Sequence, residues 1–401
     1  MKLTKTEDQI ITGLRANVWL LALAAAVVLA VVMRMSGWEY ISRDAQVFLL
    51  PWFDEIRNLG GFAALKQQVG NYNIPYQTLI ALMTYLPVDP LTQYKLLSVI
   101  FDFALAAGAA ALTYACCEKN KSTKAALAFI VVLSLPTVVL NSSVWAQCDS
   151  IFTAFAVWAL YFLKKERYTA AFWFYGLSFA FKLQAVFLLP VFVIVYFAKR
   201  SFCALHFLQI PAVSIVLSLP AIFAGRPAMD IFAIYFRQTG TYENMFLNYP
   251  SLYAAIGDDY ATLKTFAVAL CFVALLLALV YYVTRHRPLG SSAFLELCVW
   301  SVWCCVLLLP AMHERYAFAA DVLSVLLALQ NKKYLWASVF INLTSVIVYG
   351  AYLFGYQAIE LGPLAILNTA AFIWFSYCVF VKYAVPAAPA EPLETGSEAN
   401  E

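Results

Sequence analysis

"PYQTLIALMTYLP", Pro75 to Pro87, is thirteen residues long, mostly apolar, and closed by proline at both ends. Whether it crosses a bilayer decides the topology of everything that follows. A transmembrane helix needs about 20 apolar residues, so this segment reads as a short interfacial or re-entrant helix. With it kept on one side, sixteen of the 26 lysines and arginines share a face with the N-terminus: those at 2–15, 119–124, 164–167, 199–200, 285–287, 332–333 and Lys382. Positive residues stay inside, so that face is cytoplasmic. Were the segment a span, the clusters from Lys119 to Lys333 would all lie outside.

The rest of the chain reads as lipid-soluble. Of 401 residues, 63% are hydrophobic and 12% charged, against about 25% charged in soluble domains. Runs long enough to cross recur at 16–35, 95–115, 124–141, 150–164, 168–182, 183–198, 204–225, 261–284, 291–310, 316–330, 334–355 and 362–383. The expected fold is an all-α polytopic membrane protein of about twelve helices, one domain over 1–384. Residues 36–94 and 226–260 form two outer loops, the first with interfacial helices that cap the bundle, and 385–401 form a disordered acidic tail. The first apolar run is too long for a cleavable signal and is expected to remain a helix. Nucleic-acid binding is excluded by the lack of any basic soluble domain. The nine cysteines lack metal-type spacing; Cys116-Cys117 and Cys304-Cys305 read as helix residues.

Polar residues collect in four places. Tyr168 to Ala198 must cross twice between two basic clusters, so each arm reaches only about 23 Å and the tip, "FKLQ", falls below the outer surface. There Lys182, beside Gln184, needs an anion or water-filled cavity, unless it snorkels. "NSSVWAQCDSIF" sets Gln147 and Asp149 at the mouth of a helix beginning near Ser150, where Asp149 either caps that helix or faces the same cavity as Lys182. "SRDAQVFLLPWFDEI" places Asp44 just outside the first span; alone it reads as a solvated loop acid, as do Asp54, Glu55 and Arg57. "MHERY" combines His313, Glu314, Arg315 and Tyr316 at a membrane edge. A guanidinium fork suits phosphate oxygens, and an imidazole can add a donor. The second loop, "YFRQTGTYENMFLNYPSLY", offers Gln238, Asn248 and Tyr253 as groups that hydrogen-bond or stack on sugars. Asp102 and Asp321, close to spans, read as structural partners.

Over roughly residues 40–355 the chain resembles bacterial relatives of the GPI-anchor mannosyltransferases, within the GT-C superfamily of integral-membrane glycosyltransferases. The resemblance rests on Asp44, "GNYNIPYQTLIALMTYLP", "YKLLSVIFD", "SVWAQCDS", "FKLQAVFLLP", "NYPSLY" and "MHERY" taken together. It implies a GT-C-like bundle with a cavity at the outer face and a sugar donor carried on polyprenyl phosphate. It further implies Asp44 as catalytic base, and His313, Glu314 and Arg315 in contact with the carrier phosphate or the sugar. Two departures stand out: Ala146 occupies a position where relatives more often have glycine, and Asp44 stands alone where a Glu-Asp or Asp-x-Asp pair would favour metal dependence.

Together these readings give an expected transferase moving mannose or another hexose from a polyprenyl-phosphate carrier to a glycan or lipid-linked acceptor. Asp44 is the base; His313, Arg315, Lys182 and Gln184 bind donor phosphate; Asp149, Gln147, Glu314, Tyr316, Gln238, Asn248 and Tyr253 orient the site or hold sugar. No cofactor is required with certainty, and a divalent metal is not indicated. The expected setting is a bacterial plasma membrane with both termini cytoplasmic and the site facing outside. The competing readings are a flippase for lipid-linked sugars, which should carry polar groups through its depth and often internal repeats, and a ligase or polymerase of surface glycans.

Overall fold

The computed structural model describes residues 3–285 and 288–383; Lys2, Arg287 and the expected tail 385–401 lie outside the described residues. The described residues are mostly helical, with one two-residue strand pair among them, Phe246–Leu247 beside Met312–His313. Among the described residues, six helices are long and apolar enough to cross a membrane: Pro90–Cys116, Ala204–Phe223, Tyr260–Thr284, Ser291–Leu308, Lys332–Phe354 and Leu361–Lys382. Two bent pairs, Lys5–Ala16 with Leu20–Met35 and Lys121–Leu133 with Pro136–Val144, raise the number to eight if each counts as one span. The second bend, 45°, sits at Pro136, which has no N–H to continue the helical ladder.

Twelve full-length spans are therefore not what the chain forms. The expected spans 150–164, 168–182 and 316–330 correspond to helices of 16, 14 and 13 residues, Asp149–Lys164, Tyr168–Phe181 and Phe318–Gln330. At about 1.5 Å per residue these reach roughly 20–24 Å, short of a hydrocarbon core of about 30 Å. The stretch 183–198 begins as a 3₁₀ turn, Leu183–Leu188, before an 11-residue helix, Leu189–Lys199. Their apolarity serves packing against protein. Phe318–Gln330 is buried around most of its circumference, and Asp149–Lys164 lies between Pro90–Cys116 and Tyr168–Phe181.

Residues 36–94 build a small core of their own. A π-helical turn, Ala45–Leu49, leads into Leu50–Asn58, a 3₁₀ turn Gly61–Lys66 and the helix Ile74–Met83. At 10 residues, that last helix is too short to cross, as its prolines led us to expect. Phe53, Ile56, Leu65, Ile74, Tyr76 and Ile80 pack together against Tyr94 and Ile151. Arg226, just after the Gln209–Phe223 helix, fastens the second loop to the first: its guanidinium donates to Gln77 Oε1 (3.1 Å) and to Gln68, and pairs with Asp230 (3.4 Å). Gln238 donates to Asn71 O (2.7 Å) and Asn73 Oδ1 (2.9 Å), and Asn73 in turn donates to Ala180 O (3.0 Å).

Inside the bundle, Arg34 and Asp102 form a buried pair at 2.7 Å, completed by hydroxyl donors Ser142 (2.6 Å) and Ser150 (2.5 Å). Every strong donor and acceptor there finds a partner, the condition under which a buried pair is tolerated. Asp321 is also buried; Ser345 donates to its Oδ1 (2.7 Å), and no lysine or arginine among the described residues forms an ion pair with it.

Candidate functional site

The site begins where the first span ends. Lys95, buried in the Pro90–Cys116 helix, donates to the carbonyls of Gly37 (3.1 Å), Trp38 (2.5 Å) and Tyr40 (2.8 Å). These carbonyls lie just past the end of the Val18–Met35 helix, where a cation also suits the helix C-terminal dipole. The clamp fixes the chain that enters Ser42-Arg43-Asp44. Ser42 Oγ donates to Trp145 O (2.9 Å) and accepts from Ala45 N (3.2 Å), joining this segment to the second motif.

Asp44 is not a solvated loop acid. It is 6% exposed and accepts three hydrogen bonds from neutral donors: Trp145 Nε1 (3.0 Å) and Gln147 Nε2 (2.8 Å) on Oδ2, and Tyr352 OH (2.5 Å) on Oδ1. Both flanking backbones are irregular. A π-helical turn follows Asp44, and another, Leu140–Val144, precedes Trp145. Such turns, which re-aim side chains, are concentrated at functional sites.

The Trp145–Asp149 turn is held by side chains from several helices. Ser98 Oγ donates to Gln147 O (2.6 Å), Gln147 N to Asn141 O (2.9 Å), and Tyr72 OH to Gln147 Oε1 (2.9 Å). Burial pushes the Tyr72 phenol well above its ordinary value, with Cys148 and nearby carboxylates adding to it, so it stays a neutral donor. Ala146 adopts φ +63°, the left-handed region that favours glycine. This conformation is the physical counterpart of the departure noted in the sequence. Asp149 makes no capping bond at the start of its helix. Its carboxylate accepts from Asn141 Nδ2 (2.9 Å), pairs with Lys182, and lies 3.6 Å from Arg315 Nε.

Lys182 ends the Tyr168–Phe181 helix in an extended conformation, 7% exposed, its ammonium 5.6 Å from the Phe152 ring centroid. It is paired rather than snorkelling. Gln184, two residues on, has a buried Oε1 with no hydrogen-bond partner among the described residues.

"MHERY" is positioned by the strand pair. Phe246 and Leu247 run parallel to Met312 and His313, Asn248 bridges His313, and Ala311 N donates to Met245 O (3.1 Å). Asn248 and Ala311 also carry positive φ, +64° and +59°. Strained non-glycine residues of this kind gather where surrounding structure forces a functional geometry. Glu314 is fully buried and accepts from Arg315 Nη1 (3.0 Å) and Asn248 Nδ2 (3.3 Å), with His313 Nδ1 3.8 Å away. Burial would raise its pKa, but the neighbouring His313 ring and the Arg315 charge hold it below the ordinary carboxylate value. For Arg315, burial opposes the charge and the Glu314 and Asp149 carboxylates overcome it, raising the guanidinium further.

Arg315 is the hub. It reaches Asp44 Oδ2 (3.8 Å), Asp149 (3.6 Å) and Glu314 (3.0 Å), and lies 5.4 Å from the Trp145 ring centroid and 6.0 Å from that of Tyr316. Only the Glu314 contact is short enough for a hydrogen bond, and the buried Nε has none. One guanidinium thus touches three carboxylates drawn from three separate parts of the chain.

Asp44, Gln147, Asp149, Lys182, Asn248, Glu314 and Arg315 form one contact network, with His313 and Tyr316 at its edge. Three candidates stand outside it, Gln184 being the one whose buried Oε1 has no hydrogen-bond partner among the described residues. Gln238 ties the two loops together, and Tyr253 donates to Leu308 O (2.8 Å) within a separate apolar cluster, so its role is packing. Tyr72, Asn141, Trp145 and Tyr352 belong to the site and went unassigned in the sequence. Trp145 lies inside "SVWAQCDS" and could have been taken with it; Tyr352, near the end of an apolar run, carries no local signal. Among the described residues, no three His, Cys, Asp or Glu side chains form a metal-ligand group. No protein-family model matches the chain, and a search of curated proteins finds no match.

Proposed function

We propose that this chain is a glycosyltransferase that takes a sugar, mannose or another hexose, from a polyprenyl-phosphate carrier and transfers it to a glycan or glycolipid acceptor. In this reading the bundle is GT-C-like, both long loops cap its outer face, and both termini are cytoplasmic in a plasma membrane. The observation that carries the proposal is the 3.8 Å approach of Arg315 to Asp44, which couples a candidate base to a candidate phosphate-binding cation.

The chemistry follows from that contact. Asp44 Oδ2 accepts two hydrogen bonds and Oδ1 one, which leaves Oδ1 a lone pair for an acceptor hydroxyl. As the acceptor oxygen bonds to the anomeric carbon from the face opposite the phosphate, the carbon–phosphate-oxygen bond breaks and its electron pair stays on phosphate. Inversion results. The hydroxyl proton passes to Asp44, and negative charge moves from the base to the leaving group. Arg315 sits between them, so its attraction to Asp44 fades as its attraction to phosphate grows. Lys182 adds further positive charge at the leaving group and His313 a hydrogen-bond donor. A phosphate leaves without a strong general acid, so a single base suffices.

Purified protein is incubated with radiolabelled polyprenyl-phosphate sugars and candidate acceptors, and sugar transfer is measured. The same protein in vesicles is assayed for movement of lipid-linked sugar between leaflets. Movement without transfer would establish the flippase reading; transfer to a preassembled surface glycan or growing polymer would make it a ligase or polymerase.

A further inference from the structure

Three carboxylates, Asp44, Asp149 and Glu314, meet two permanent cations, Lys182 and Arg315, in one buried cluster. Both cations already contact carboxylates. A lipid phosphodiester carries a further negative charge, so on charge alone this cluster disfavours the donor that the glycosyltransferase reading requires. Unscreened like charges brought together in a buried setting repel strongly.

His313 can reverse that balance. Its Nδ1 lies 3.8 Å from Glu314 Oε2, and its ring stands between Tyr242 and Tyr316, with centroids 4.9 and 5.0 Å away. The side chain keeps 14% exposure, so a solvent proton can reach it. The groups facing it are the Glu314 carboxylate, the two phenols and, from the paired loop, the neutral Asn248; the next charge along the chain is Arg315. None of these neighbours needs to change its own charge for the imidazole to gain a proton.

Resting on the glycosyltransferase reading, we propose that donor binding takes up one proton at His313. The imidazolium, held against Glu314, supplies the third positive charge that lets the cluster accept a lipid phosphodiester. Binding and protonation are then linked. Over the pH range in which the imidazole is neutral in the free protein and charged in the complex, affinity falls by about tenfold per pH unit.

The test is isothermal titration of the full-length protein in detergent with farnesyl methyl phosphate, a phosphodiester whose single charge does not titrate in this range. Paired buffers of different ionisation enthalpy report the protons taken up. At about pH 8 the expected uptake approaches one proton per ligand, falling towards zero at about pH 5.5. His313→Gln should bind weakly and with the same affinity at both pH values, without uptake. His313→Lys, with a fixed charge, should restore binding at the higher pH, again without uptake. Binding by the wild-type protein at about pH 8 without proton uptake, or uptake that survives in His313→Gln, overturns this inference and leaves the lipid-phosphate reading standing. No binding by folded wild-type protein at either pH overturns that reading, and this inference with it.

Discussion

Replacing Asp44 with asparagine separates basicity from shape. Trp145 and Gln147 both donate to Oδ2, and that oxygen survives as the amide carbonyl. The new amide nitrogen takes the Oδ1 position, where the Tyr352 hydroxyl can rotate from donor to acceptor. All three neighbours therefore keep a partner, and the protein should fold with a melting temperature near that of the wild type. The proton acceptor is gone. General-base catalysis contributes about 10²- to 10⁴-fold, so kcat should fall by that factor, a barrier increase of about 3–5 kcal/mol. Donor binding should respond in the opposite sense. Arg315 lies 3.8 Å from the lost negative charge, and at an effective dielectric of about 20 their gross attraction is about 4 kcal/mol, much of it offset by desolvation. Removing the carboxylate charge leaves the guanidinium freer to meet phosphate, so the donor should bind at least as tightly. The assay is single-turnover sugar transfer and donor binding on the same preparation. Transfer at the wild-type rate would refute Asp44 as base. A parallel loss of binding and rate would make Asp44 a structural support.

Three further expectations rest on other parts of the molecule. Arg34→Met strands Asp102 inside the bundle and should cost about 3–5 kcal/mol by thermal denaturation, while the Arg34→Met/Asp102→Asn double variant should recover much of it; equal losses in both variants would mean the pair is not the cause. Ala146→Val puts a β-branched side chain at φ +63° in a fully buried turn and should lose about 2 kcal/mol or more, whereas Ala146→Gly should stay within about 1 kcal/mol of the wild type. In a background lacking the exposed Cys203, a cysteine at Asp54 should react with an impermeant thiol reagent on intact cells and one at Ser122 should not. Both positions are exposed, so the reverse pattern would invert the proposed orientation.

The all-helical, membrane-embedded character was legible in the amino-acid order alone, because hydropathy is a local property and the apolar runs are long. So was the short helix at Ile74–Met83, whose flanking prolines and length leave little choice. "FKLQ", "WAQCD" and "MHERY" announced themselves because charges amid apolar sequence are conspicuous. Tertiary structure alone decided the rest. Hydropathy does not distinguish a helix facing lipid from one enclosed by protein, which is why Phe318–Gln330 read as a span and is a short, buried helix. Arg34 read as part of the first apolar run, and only the fold brings it to Asp102 and two serines on other segments. Whether Asp149 caps its helix or faces Lys182 depends on a hairpin that returns 33 residues later. Tyr352 meets Asp44 across 308 residues. Such contacts are set by helix packing, and packing is a property of surfaces that no local stretch of sequence contains.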